Sequence, residues 1–242
     1  MRRVACDFHL HSCLSPCGDN DMTPANIAGM ASLKGLGALA LTDHNTSKNC
    51  PAFFKACEAL GILPFAGMEM TTAEDIHMVA LFPTLEEAMT FDGFVESQRI
   101  RIKNRPEIFG DQRVVDEEDN ILSEEPDLLI NALMMDLAAC AEKVREYGGL
   151  AYPAHIDKHS NGIIATLGFL PEEPSFSCYE IHDRNHIEDY RTRFSLGNAG
   201  IITSSDAHYL WDIAEGESAM TLDLPDDLEG DALRRYILES FK

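Results

Sequence analysis

Short apolar runs alternate along this chain with stretches whose apolar positions recur at helical spacing. The runs are VACDFHLH (4–11), ALALTDH (38–44), LPFAGMEM (63–70), HMVALF (77–82), LAYPAH (150–155), CYEIHD (178–183), GIITSSDAH (200–208) and SAMTLDL (218–224). Near-continuous apolar runs of this length predict strands buried on both faces. Helical patterns lie between most of them, at 24–34, 48–60, 84–98, 136–148, 187–196 and 227–240. In the fourth, Leu137, Cys140, Ala141 and Val144 fall on one face and predict core packing. The alternation predicts an α/β fold with a mainly parallel sheet covered by helices, and seven or eight repeats of the unit predict a barrel rather than an open sheet.

Residues 99–131 interrupt the alternation. QRVVDEEDNILSEE (112–125) predicts a β-hairpin turning near Glu117–Asn120, and the preceding RIRIKNR is locally basic. The expectation is one domain over 1–242 with an insertion at 99–131 projecting from one end of the barrel. The insertion has two readings. In one it is a helix end and hairpin whose arginines pair with Glu117, Glu118 or Asp119. In the other it caps the barrel rim and uses Arg101 and Arg105 to draw in an anionic substrate.

The 242 residues carry a formal net charge of −22. Such a chain has no wide basic face, which disfavours extended nucleic acid as a partner. An anionic substrate would need a local reversal of the field, which bound divalent cations provide. Seven cysteines, an odd number with no C-x-x-C pair, predict reduced thiols. No apolar run approaches the ~20 residues of a membrane span, and MRRVACDFHLH lacks a signal-peptide core, so the expected location is cytoplasmic, with no membrane partner.

The polar residues fall where the predicted strands end. His9 and His11 end the first, Asp43 and His44 the second, Glu69 the third, His155 the fifth, and Asp206 and His208 the seventh. In α/β barrels the C-terminal strand ends form one rim, where active sites sit. Five strands would thus deliver imidazoles and carboxylates to one place. Both rings of an H-x-H pair share a face, because side chains alternate with period two along a strand. This donor set, without matched cysteines, suits Zn, Mn or Fe. It exceeds one tetrahedral ion, so two or three ions are expected, with Glu69 or Asp206 bridging. Multi-metal sites of this kind clamp the oxygens of a phosphoryl group. His182 and Arg184, near another strand end, are weaker candidates for contact with a substrate phosphate. His159 and His186 read as exposed.

DFHLHS, ALTDHNT, GMEMTT, YPAHID and SSDAH, in this order, resemble the successive motifs of the PHP (polymerase and histidinol phosphatase) family, over residues 4–208. The resemblance implies a distorted seven-stranded β/α barrel, a trinuclear metal site and hydrolysis of phosphoesters. It implies that His9, His11, Glu69 and Asp206 hold a first metal, His44 and His208 a second, and His77 and His155 a third shared through Glu69. His77 begins its strand, so its assignment rests on the resemblance alone. The family pattern H-x-H-S-x-x-S-D-G has Pro16 where its metal-binding Asp stands. Asp19 is the preferred substitute, with Cys17 and Asp21 as alternatives. The expected activity is metal-dependent hydrolysis of a small phosphomonoester or nucleotide. The alternatives are a nuclease acting on nucleic-acid ends and a non-catalytic metal-binding regulatory module.

Overall fold

The computed structural model describes residues 1–242. The chain runs β1 (Arg2–Asp7), α1 (Pro24–Leu33), β2 (Ala38–Leu41), α2 (Cys50–Ala59), β3 (Leu63–Thr71), β4 (His77–Phe82) and α3 (Leu85–Gln98). It continues through α4 (Pro106–Phe109), β5 (Arg113–Val115), β6 (Ile121–Glu124), α5 (Leu137–Glu146), β7 (Leu150–Pro153), α6 (Ile163–Leu167) and β8 (Cys178–Glu180). Last come α7 (Ile187–Arg193), β9 (Gly200–Ile202), β10 (Met220–Leu224) and α8 (Gly230–Glu239). Every apolar run of the sequence overlaps a strand. Three helices begin where side chains satisfy their free N–H groups. Thr23 accepts from Asn26 N before α1, Thr84 and Glu87 close a capping box on α3, and Asp136 accepts from Ala139 N before α5.

The sheet is mixed, not mainly parallel. Its six strands lie in the order β10-β1-β2-β3-β4-β7, and β8 pairs with β9 separately. The ladders β1–β2, β2–β3 and β8–β9 are parallel, whereas β3–β4, β4–β7 and β1–β10 are antiparallel. The two antiparallel ladders of β4 follow from the link at 72–76, which is too short for a crossover helix and must reverse the chain as a hairpin. Because β4 runs backwards, Thr71 pairs with His77, and the start of β4 lies at the same rim as the end of β3. This is why His77 reaches a rim that strand ends otherwise supply.

The six-stranded sheet curls into a half-barrel, and the β8–β9 pair closes it without continuous ladders. Ile156 N donates to Glu180 O on the β7 side, at 2.9 Å. On the β1 side His11 N donates to Ala207 O and Asp206 N to His9 O, both at 3.0 Å. Two apolar clusters pack the two faces of the sheet. Leu39, Leu41, Ala66 and Met68 meet the outer helices, while Phe8, Phe65, Val79 and Tyr152 fill the interior with Leu233 and Ile237 of α8. Glu69 shares the face of Phe65 by period two and so points inward. No helix is long and apolar enough to cross a membrane.

The insertion contains the expected hairpin, β5–β6, whose turn is held by Asp116 accepting from the Glu118 and Asn120 N–H groups. It does not project. Arg113 N donates to Cys13 O, Val115 N to the Asn49 carboxamide, and the Asn45 amide to Leu129 O. These bonds lay it over the loops that follow β1 and β2. Three of its four arginines are paired, but not with the acids the sequence suggested. Arg99 meets Glu125, Arg101 meets Asp127 at 2.7 Å, and Arg113 meets Asp111.

Candidate metal centre

Most of the candidate residues stand just beyond the regular strands rather than on them. β1 stops at Asp7, β2 at Leu41, β7 at Pro153 and β9 at Ile202, and only Glu69 and His77 lie within a strand. Short main-chain bridges, Leu10 with Ala207 and His44 with Glu69, keep these extensions in register. Three candidate or flanking residues take left-handed backbone: Asn45 (φ 51°), His155 (φ 27°) and Asp206 (φ 52°). Such conformations cost on the order of 1–3 kcal/mol each in non-glycine residues and cluster at functional sites.

The side chains converge on Glu69, which is 1% exposed. Its Oε1 lies 2.8 Å from His77 Nδ1, 3.1 Å from His155 Nε2 and 3.4 Å from His9 Nε2. Its Oε2 lies 3.2 Å from His44 Nδ1 and 3.3 Å from His11 Nε2. Asp206 Oδ1 is 3.2 Å from His11 Nε2 and 3.4 Å from His9 Nε2. The Nε2 atoms of His9 and His11 face each other at 3.3 Å, as the H-x-H spacing requires. Three sets of ligand atoms lie within 4.8 Å of one another: His9, His11, Glu69 and Asp206; His11, His44 and His208; and His44, Glu69 and His77.

Hydrogen bonding does not account for this crowding. His44 Nδ1, His77 Nδ1 and Asp206 Oδ1 are buried and have no hydrogen-bond partner despite these short approaches. Nitrogen lone pairs and carboxylate oxygens aimed at common points are the donor set of a hard or borderline divalent cation. The residues present therefore fit metal ions.

The protonation balance agrees with a cation-shaped hole. Burial opposes a charge on His9, but Glu180, Asp206 and Glu69 outweigh it and raise its pKa well above the ordinary value. His11 is likewise buried and is raised to about 9 by Asp206 and Glu69. His44 is pushed well below the ordinary value by burial and the charge of His11, and His208 down to about 4 by the same causes. Burial favours the neutral acid of Glu69, yet His77, His9 and His44 hold it well below the usual carboxylate range. Without ions, the carboxylates keep protons on imidazoles that metal binding would displace.

An outer layer orients the histidines. Both oxygens of Glu180 lie within 3.1 Å of His9 Nδ1, and Oε2 also accepts the His155 N–H at 3.0 Å. This fixes His9 with Nε2 facing the cluster. Ser15 Oγ sits 3.0 Å from His11 Nδ1 and donates to Asp43 Oδ1 at 2.7 Å. His208 Nδ1 donates to its neighbour's carbonyl, Asp206 O, at 2.8 Å, which leaves Nε2 for the cluster.

The cluster floors a pocket of about 180 Å³, whose other walls include Cys17, Ile130, Lys158, Ser160 and Asn161. Lys158 Nζ is 2.5 Å from Asp206 Oδ2. Of the candidates for the missing Asp, Cys17 reaches the pocket wall. Asp19 does not, because its carboxylate accepts the Asp21 N–H at 2.8 Å in a local turn, and Asp21 is exposed. His182 and Arg184 line a different, open groove of about 510 Å³, where Arg184 donates to Thr203 Oγ1. Arg101 is 62% exposed on Asp127, and Arg105 lies over the Phe109 ring; neither lines the pocket. Sequence reading missed Glu180 and Lys158. An acid in the middle of the apolar run CYEIHD, and a lysine three residues past His155, were the available signals.

The sequence model of the PHP domain family matches residues 7–166. The chain belongs to the PHP domain family. As a PHP protein it is a member of a metal-dependent hydrolase family, and its His, Asp and Glu clusters match that character. No curated protein matches the chain. Among solved structures, it is similar to the lesion-specific endonuclease PfuEndoQ from Pyrococcus furiosus, with TM-score 0.63 and 18% identity over 98% of this chain. The match spans 56% of that enzyme's length. Endonuclease Q has also been solved with a 27-mer duplex bearing an abasic lesion at the active site. A protein from Bifidobacterium adolescentis, described as a putative metal-dependent phosphoesterase, gives TM-score 0.57 and 19% identity, covering 96% of this chain and 95% of the other. An amidohydrolase from Chromobacterium violaceum with bound sulfate gives 0.58 and 18%, covering 98% and 96%. At these identities the likeness shows a shared fold, the distorted barrel of PHP proteins.

Proposed function

We propose that this PHP protein is a metal-dependent phosphoesterase that holds two or three divalent ions of Mn, Fe or Zn. The observation that carries the reading is Glu69, ringed by five imidazoles at 2.8–3.4 Å with buried nitrogens that lack hydrogen bonds. His9, His11, Glu69 and Asp206 would hold one ion, His44 and His208 with His11 a second, and His77 and His155 with Glu69 a third. Bound there, the ions would neutralise phosphoryl oxygens and supply a nucleophile at neutral pH.

The chain's own residues then select and orient the substrate. Lys158 is the cation at the mouth and faces an incoming phosphate from the Asp206 side. Ser160 and Asn161 offer neutral polar groups on the wall, and Ile130 brings the insertion to the pocket edge. That contact supports treating 1–242 as one domain whose 99–131 insertion partly covers the site. A pocket of about 180 Å³ admits a phosphate and its immediate ester, not a duplex.

A nuclease acting on nucleic-acid ends is the second reading. Its support is the likeness to Endonuclease Q over 98% of this chain, which weakens the objection from a net charge of −22. The deciding experiment is a hydrolysis screen with added manganese over sugar phosphates, nucleotides, short oligonucleotides and lesion-bearing duplexes. Turnover of monoesters supports the first reading, and cleavage confined to oligonucleotides or duplexes the second. Protein that holds metal but turns over none of them is a non-catalytic module.

A further inference from the structure

Among the side chains that line the cluster pocket, Lys158 is the one Lys or Arg. It stands on the link between β7 and α6, and that link is pinned along its length. Lys158 N donates to His155 O at 2.9 Å, and Asn161 O accepts from His77 N at 2.7 Å. The neighbouring Asp157 carboxylate accepts from the main-chain N–H groups of His182 and Asp183, at 2.8 and 2.9 Å. His155 and Asn161, near the two ends of the link, take left-handed backbone. The lysine is therefore presented on a rigid support, with little ordering left to do on binding.

Its ammonium head is fixed as well. Nζ donates to Asp206 Oδ2 at 2.5 Å. Asp206 Oδ1 is buried, has no hydrogen-bond partner and faces the Nε2 atoms of His9 and His11. The two oxygens thus divide their work: Oδ1 is left for an ion, and Oδ2 holds the lysine. An ammonium has three N–H groups. One is spent on Oδ2, and the others remain available on the pocket wall. An ion on Oδ1 would share the charge of Asp206, so the charge of Lys158 would not be cancelled.

We infer that Lys158 is a specificity-determining residue that selects a terminal phosphate, a phosphomonoester, over an internal phosphodiester. The inference rests on the proposed phosphoesterase reading and narrows its substrate class. A monoester phosphate carries a charge of about −1.5 to −2 and three acceptor oxygens. A diester carries a single charge and bears a second carbon chain on one of those oxygens. The oxygen that a monoester leaves free would take a charge-assisted hydrogen bond from the ammonium. A diester would offer the ammonium an ester oxygen, a poor acceptor, and would have to lead its second chain out of a pocket of about 180 Å³.

Two substrates on one preparation test this, because lost metal or lost fold lowers both rates and leaves their ratio alone. The intact, metal-loaded protein is assayed on p-nitrophenyl phosphate and on bis(p-nitrophenyl) phosphate. Lys158→Gln can still donate to Asp206 but carries no charge. In that variant the ratio of kcat/KM for the monoester to kcat/KM for the diester should fall about ten-fold or more. Lys158→Arg keeps the charge and should retain most of the ratio. Calorimetric titration of the same proteins with inorganic phosphate and dimethyl phosphate should show the same loss of preference in Lys158→Gln, without turnover. Equal losses on both esters, with the ratio and the binding preference unchanged, would reduce Lys158 to a support for Asp206 and overturn the inference. A binding preference that depends on Lys158, in a protein that hydrolyses neither ester, would overturn the phosphoesterase reading and leave the selection standing.

Discussion

Glu69 is a buried carboxylate whose nearest neighbours are imidazoles, and single substitutions around it should separate chemistry from folding. Asp206→Asn or Glu69→Ala should cost on the order of 10²-fold or more in rate, since each ion supplies several kcal/mol of stabilisation. The fold should survive, measured by unchanged far-UV circular dichroism, because the apolar faces of the sheet do not depend on the cluster. Glu180→Gln tests the outer layer: it should weaken metal retention about 10- to 100-fold in a chelator competition. The metal-free protein should have its highest Tm near pH 6.5. His11 is raised to about 9, so its ion pairs stabilise fully below 6.5 and are lost as pH climbs toward 9. His208 is lowered to about 4, so the unfolded chain takes up that proton first and stability falls between 6.5 and 4. A chelator-treated protein whose Tm rises steadily to pH 9 would contradict this. Apart from His77, the histidines were legible in the sequence because chemistry clustered at run ends. Lys158 and Glu180 were not, since each sits singly and acquires its role only from a partner brought near by folding.

Helix and strand positions were legible from periodicity, but the direction of β4 depended on one short link. The hairpin at 72–76 turns β4 around, which the alternating pattern alone did not reveal and which explains His77. The hairpin within 99–131 was also legible. Its docking was not, because Asn45 and Asn49 hold it through side-chain bonds to main-chain atoms that have no periodic signature. Two arginines of this element should behave oppositely. Arg99 is buried, donates twice to Asn45 O and once to Glu125, and Arg99→Ala should destabilise by about 3–5 kcal/mol in denaturant melts. Arg101 is exposed, and Arg101→Ala should change stability by no more than about 1 kcal/mol. Reversing the charge of Arg101 and Arg105 together should leave KM for a small phosphoester unchanged, since neither side chain lines the pocket. A raised KM at low salt would return them to the site.

At the scale of the whole molecule, the ions should act as ligands of the native state. Elemental analysis after remetallation should give two or three per chain, and a value below one would remove the trinuclear assignment. Each site filled at about a hundred times its Kd adds about 2.7 kcal/mol, so chelation should lower Tm well below that of the loaded protein.

The β8–β9 pair meets its neighbours through isolated bonds, yet the segment beyond it supplies Asp206 and His208, while the other ligands come from residues 9–155. The exposed stretch around Glu172 and Glu173 separates the two contributions along the chain. Severed there, the molecule would become two fragments, each holding part of one coordination sphere. Their reunion would draw on the ion as well as on apolar contact, so the dose of metal needed to rejoin them would read out the affinity of the sphere itself. A keystone seam of this kind turns a hydrolase scaffold into a two-piece detector for divalent cations.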